Sequence, residues 1–232
     1  LDRARVMVVG VGGVGSFAAE ALARSGVGTI VLVDFDKVCI TNTNRQIPAT
    51  TSTVGRPKVE VLRDRVLDIA PSCAVHPHAM FYDDATAASL LDGRPDWVID
   101  AIDSLDAKAH LIAACAERGL RVVVSGGAGG RVDATRVRLG TLDATGGDGL
   151  LRATRRRLRD VAPWLHFRGV AAVYSDERQR FPGVDGEVCA ARDAASALRL
   201  DCASGFGAVS FVTGTFGLFA ASHVVSSIAA AA

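Results

Sequence analysis

The sequence predicts an α/β fold: a Rossmann-like, doubly wound and mostly parallel sheet with a C-terminal extension and an apolar terminal helix. Three observations carry this. Short β-branched runs alternate with longer helix-like stretches from Val6 to Ser125, the pattern of strands joined by crossover helices. The turn Gly10-x-Gly12-Gly13-x-Gly15 lies between the first run and the first helical stretch. Asp34 ends the second run about twenty residues further on, where a dinucleotide-type turn is followed by an acid.

The elements follow in order. Val6 to Val9 reads as a buried strand, short, β-branched and bounded by glycine. Gly13 to Ser25 reads as a helix closed by Gly26, and Thr29 to Asp34 as a second buried strand. After a polar stretch, Pro57 suits the first turn of a helix running to about Ile69. Asp96 to Asp100 is a strand ending in acid, Leu105 to Arg118 a helix ended by Gly119, and Arg121 begins a strand that runs into a glycine-rich turn, Ser125 to Gly130. Beyond Arg131 the pattern loosens. Arg131 to Leu142 alternates like a strand, Gly149 to Leu165 reads as a basic helix, and Val170 to Ser196 as loop and extension. The whole, 1–232, reads as one domain: a nucleotide-binding core over 1–140, then a basic insert and C-terminal extension over 141–232.

Composition narrows the class. With 232 residues and 49% hydrophobic, the chain can bury a sizeable core. A net charge of +1 names no partner. Five cysteines with no CxxC pair argue against a disulfide framework and a paired-CxxC zinc site, and for a reducing cytoplasm. The first apolar run is broken early by glycine, so no secretory leader is expected. From Cys202 to Ala232 there is no Lys, Arg, Asp or Glu. That segment is long enough for a membrane span, but His223 and several Ser and Thr favour a helix buried in the core or a dimer contact.

Three motifs bear chemistry. A glycine turn opening a helix lets backbone N–H groups approach phosphate, so Gly10, Gly12, Gly13, Gly15 and Asp34 are candidate nucleotide-binding residues. Dehydrogenases, flavoproteins and nucleotide-activating enzymes all share this feature. The stretch "DFDKVCITNTNRQ", Asp34 to Gln46, followed by "VGRPK", Val54 to Lys58, separates them. A triphosphate needs cations where charge builds at the α-phosphorus. Arg45 and Lys58 are the candidates to supply them, with Asn42 and Gln46 as neutral donors; the competing reading of either cation alone is an ordinary surface residue. In "DAIDS", Asp103 stands where a magnesium ligand belongs and Asp100 reads as structural. Capping of the next helix by Asp103 or Ser104 is the competing reading.

These motifs, in this order and spacing, resemble the adenylating enzymes related to ubiquitin-activating enzyme and the sulfur-carrier activators. "TNTNRQI", "VIDAIDS", "SGGAGG" and "RLDCASGFGA" are similar, more narrowly, to the branch that dehydrates threonylcarbamoyladenosine in tRNA. The resemblance implies ATP and Mg²⁺ as cosubstrate and metal. Asp34 and Asp36 would serve the nucleotide, Arg45 and Lys58 the phosphates, and Asp103 the metal. It also leaves a monovalent cation at the Ser125 to Gly130 turn as a candidate. It implies a tRNA substrate, a homodimer, and a sulfur-transfer-type protein as a further partner to consider. Cys202 is a candidate acyl carrier, weighed against a small half-buried residue, and Cys189 is a weaker one. Arg152, Arg155, Arg156, Arg157 and Arg159 are the candidate tRNA contacts, extended by Arg131, Arg136 and Arg138, against the alternative of a solvated helix face. The rival functions are an activator of a ubiquitin-like or sulfur-carrier protein, a nicotinamide-binding oxidoreductase, and a nucleotide-gated binding module.

Overall fold

The computed structural model of the chain describes residues 1–183, 187–191 and 207–231. A seven-stranded sheet runs through it in the order β3-β2-β1-β4-β5-β7-β6. Its strands are β1 (Arg5–Val9), β2 (Thr29–Val33), β3 (Ala74–His78), β4 (Trp97–Asp100), β5 (Arg121–Ser125), β6 (Val137–Thr141) and β7 (Ala171–Ser175). All neighbours pair in parallel except β6, which lies antiparallel to β7 at the edge. Among the described residues six α-helices flank the sheet: α1 (Gly15–Arg24), α2 (Lys58–Ile69), α3 (Asp84–Leu91), α4 (Leu105–Glu117), α5 (Gly149–Val161) and α6 (Ser210–Ala230). The doubly wound architecture is the one expected.

Two apolar layers hold the helices on. On one face Val6, Val8, Ile30, Leu32 and Ile99 pack with α1, α2 and α6. On the other Met7, Val9, Val31, Val33 and Val98 pack with α3, α4 and α5. This alternation is the period-2 display of strands covered on both faces, which is why their sequences are almost wholly apolar.

Two expectations are corrected. Ala171 to Ser175, read as loop, is an inner strand between β5 and β6. Its Ala-Ala-Val-Tyr-Ser run carries one β-branched residue, so its strand character comes from two flanking ladders rather than from propensity. The stretch from Ala74 to Leu91, given no elements from sequence, holds β3 and α3. β3, Ala-Val-His-Pro-His, is half exposed at the sheet edge, where proline is tolerated.

α6 is long and apolar enough to cross a membrane by length and composition. In the fold it packs on α1. A Cβ built on Gly217 would stand 2.4 Å from the Val14 carbonyl oxygen, so the two backbones touch where a side chain cannot fit. Val212, Phe216, Ala220, Ala221 and Val224 are buried, whereas Phe211, Leu218 and Phe219 face outward.

Candidate active site

The chain crosses from one side of the sheet to the other between β1 and β4, and their carboxyl ends frame a crevice of the kind that binds ligands in open α/β sheets. The glycine turn fills its floor. Gly10 has φ +84°, and a Cβ there would lie 2.8 Å from the Ala101 carbonyl oxygen beyond β4. A Cβ on Gly15 would overlap the Gly10 carbonyl oxygen. Only glycine allows strand, turn and helix to close this tightly. No side chain caps α1 and its first turn carries no acid, so its N-terminal dipole is left to an incoming anion.

Asp34 ties the next strand to this turn. Its Oδ2 accepts the Val11 N–H at 2.8 Å and its Oδ1 the Asp36 N–H at 2.8 Å. Burial pushes its carboxyl above the usual range, against the opposing charge of Lys58. The carboxylate is therefore oriented, and each oxygen retains a lone pair for a hydroxyl donor. Lys58 opens α2. Its side chain is almost wholly buried, and its Nζ donates to Asp36 Oδ2 at 2.7 Å.

The loop from Cys39 to Gln46 forms the wall. Asn42 is buried and its Oδ1 accepts the Cys39 N–H at 3.0 Å, so the carbonyl end shapes the loop rather than facing a ligand. Arg45 donates to the Thr41 carbonyl at 3.0 Å and to Asn44 Oδ1 at 2.8 Å. α6 closes the wall: Asn44 Nδ2 donates to the Ala208 carbonyl at 3.0 Å, and Thr213 lies against Gly13. Gln46 faces Gly12, and its Oε1 is buried without a hydrogen-bond partner among the described residues. An unsatisfied buried amide oxygen beside a phosphate-type turn fits a site completed by a bound group.

At the end of β4 the two acids part company. Asp100 is fully buried. Its Oδ2 receives Lys108 Nζ at 2.7 Å and its Oδ1 the Ile102 N–H at 3.0 Å. Asp103 is exposed and has no hydrogen-bond partner among the described residues, and the α4 N-cap residue Ser104 makes no side-chain cap bond. Capping therefore does not account for Asp103. No group of three His, Cys, Asp or Glu able to hold a metal exists among the described residues.

The basic residues divide. Arg131, named as an extension of the basic surface, is instead buried and paired with Asp148 at 3.2 Å. Asp148 also accepts the Gly127 and Leu151 N–H groups, so the Ser125 to Gly130 turn already holds an anion and a cation of the protein. Arg136 and Arg138 pair with Asp176. Arg155 turns inward to the Leu142 and Thr145 carbonyls and the Thr145 hydroxyl. Arg157 pairs with Asp106 at 2.8 Å. Arg152, Arg156 and Arg159 stay exposed at i, i+4 and i+7, which is one face of α5. Cys202 lies outside the described residues. Cys189 sits half-buried in a small hairpin, Phe181–Pro182 with Val188–Cys189.

One feature of the wall escaped the sequence reading. Cys39 is an exposed free thiol, held below the usual thiol range by Thr41, with a smaller contribution from Lys58. Its place between Asp36 and Asn42, in the stretch expected to serve the phosphates, was the available signal.

A model of the ThiF family matches residues 1–231. The chain is 44% identical over 234 residues to a tRNA threonylcarbamoyladenosine dehydratase of Escherichia coli K12, covering 99% of this chain and 87% of the relative. It is 41% identical over 115 residues to an Escherichia coli molybdopterin-synthase adenylyltransferase, covering 50% and 46%. Among solved structures it is similar to Escherichia coli tRNA N6-threonylcarbamoyladenosine dehydratase in complex with ATP, with TM-score 0.86 and 39% identity over 99% of this chain and 87% of the other.

Proposed function

Because the chain belongs to the ThiF family, we propose that it uses ATP to dehydrate threonylcarbamoyladenosine next to a tRNA anticodon. The observation that carries the reading is the convergence at one strand crossover of a glycine turn, an oriented Asp34, a buried Lys58 and an exposed Asp103. Two of the relatives and a similar ATP-bound structure bear dehydratase or adenylyltransferase names that fit it.

The chemistry needs these groups. A carboxylate is a poor electrophile, so its oxygen first attacks the α-phosphorus and expels pyrophosphate. Lys58 and Arg45 face the charge that builds there, in a partly dry crevice where such charge stabilisation is strong. Asp34 holds the ribose, and Asp103 is the residue to hold Mg²⁺, whose role is to neutralise phosphate charge. The carbamoyl nitrogen then attacks the activated carbonyl, AMP leaves, and the net change is loss of one water. Nucleophile and electrophile share one nucleoside, so closure is close to unimolecular and requires no covalent relay.

We assign tRNA phosphates to Arg152, Arg156 and Arg159, with salt-dependent affinity, and a second copy of the chain to the outward face of α6 around Phe211, Leu218 and Phe219. The reading places the protein in the cytoplasm.

The test is mass analysis of tRNA carrying threonylcarbamoyladenosine after incubation with protein, ATP and magnesium. Loss of one water per modified nucleoside, with AMP formed and both abolished in Asp103→Ala, is expected. ATP binding without that loss favours the second reading, an activator of a small carrier protein, which the half-length match to an adenylyltransferase supports.

A further inference from the structure

Asp36 was placed with the nucleotide ligands by resemblance. Its geometry assigns it a different task. The segment after β2 and the segment before α2 are stapled by backbone bonds. The Lys58 N–H donates to the Asp36 carbonyl at 3.0 Å, the Val38 N–H to the Arg56 carbonyl at 2.8 Å, and the Gly55 N–H to the Val38 carbonyl at 2.9 Å. Lys37 and Pro57 form an antiparallel bridge between them. Asp36 and Lys58 are thus fixed twice, once through the main chain and once through the 2.7 Å ion pair.

The pair is lopsided. The Lys58 side chain is 6% exposed and that of Asp36 45%. An ammonium has three N–H donors and a long flexible stem. Asp36 takes one donor, and no other protein acceptor holds Nζ among the described residues. Two N–H groups remain for anionic oxygen. A lysine without this partner would have to order four rotatable bonds on binding, and would be a buried cation with only the unbonded charge of Asp34 to oppose it until the ligand arrived.

We propose that Asp36 is a positioning residue. It holds Lys58 in place, and stays paired to it when the triphosphate binds, without itself touching the nucleotide. The inference rests on the ATP-dependent reading of this site and adds a role to it.

The experiment is a double-mutant cycle on ATP affinity, measured by calorimetry on the full chain, with Asp36→Asn, Asp36→Glu, Lys58→Gln and the Asn/Gln double variant. The expected result is about fivefold weaker ATP binding in Asp36→Asn, near-recovery in Asp36→Glu, and no further loss when Asp36→Asn is added to Lys58→Gln. A merely structural role would weaken binding equally in both backgrounds and overturn the proposal. Tighter ATP binding in Asp36→Asn would also overturn it, because Asp36 would then be a stand-in that phosphate must displace. Turnover is read separately. The expected cycle together with a wild-type chain that leaves the modified tRNA unchanged defeats the dehydratase reading and leaves the role of Asp36 intact.

Discussion

Lys58–Asp36 and Lys108–Asp100 are the same pair chemically, an ammonium on a carboxylate at 2.7 Å, each near the carboxyl end of a strand. They differ in water. Lys108 and Asp100 are both fully buried, whereas Asp36 is nearly half exposed. The buried pair has turned its polarity inward: Asp100 also takes the Ile102 N–H and, fully buried, presents neither oxygen to a ligand. The open pair keeps donors on Lys58 facing a crevice. Distance alone would not separate a structural pair from one that binds. Exposure and unused donors do.

Breaking the buried pair should have the larger effect. Lys108→Met leaves Asp100 as an uncompensated buried carboxylate, a change that typically costs about 3–5 kcal/mol. Denaturant melts of the variant against wild type measure it. Burial already pushes the Asp100 carboxyl upward and Lys108 opposes that rise, so removing Lys108 drives it higher. The folded variant then binds a proton that the unfolded chain has released. The stability deficit therefore shrinks as pH falls and grows as pH rises towards neutrality. A deficit independent of pH would show that lost packing, not the carboxylate, is responsible.

Breaking the open pair should show up in catalysis instead. Under the proposed function Lys58→Met removes a cation from the site of the transferring phosphorus, and loss of one such donor costs about 10²–10³ in rate. The rate of AMP formation with modified tRNA measures it, alongside a melt expected to move much less than that of Lys108→Met. If the two variants exchanged behaviour, the contrast drawn from exposure would be wrong.

The contrast also marks what a sequence can carry. The glycine turn, Asp34 and the apolar strands were legible because each is local: a turn is read from adjacent residues and a buried strand from its run. The burial of Asp100 was legible too, since the acid on the strand is the one the sheet buries. The partners were not legible. Lys58 is separated from Asp36 by a polar loop, and Arg131 from Asp148 by β6. Arg155 and Arg156 are neighbours in a run of three arginines, and only the rotation of α5 against the Leu142 to Thr145 turn sends one inward and the other out. Nor was the structural task of Asn42 legible: its carbonyl end closes the loop that presents Arg45. β3 and β7 were missed because their residues have little strand character apart from their neighbours.

Two thiols extend the comparison to its smallest effect. Cys39 lies near the open pair and is held below the usual thiol range, first by the Thr41 hydroxyl, whose Oγ1 donates to Sγ at 3.3 Å, and last by Lys58. Cys115 lies near the closed pair, and burial followed by Asp100 pushes it up to about 12. The thiolate is the reactive form. Iodoacetamide should therefore label Cys39 in the native protein, with a rate that rises through a midpoint below that of an ordinary cysteine, and leave Cys115 untouched until the chain unfolds. Thr41→Val keeps the shape and removes the donor, so the Cys39 midpoint should move up. Lys58→Met should move it in the same direction by less. Peptide mapping after timed labelling across pH reads all three. Equal shifts in the two variants would mean that the open pair's field reaches the loop more strongly than its exposure implies, and the line between the two pairs would then have to be drawn on charge rather than on access to water.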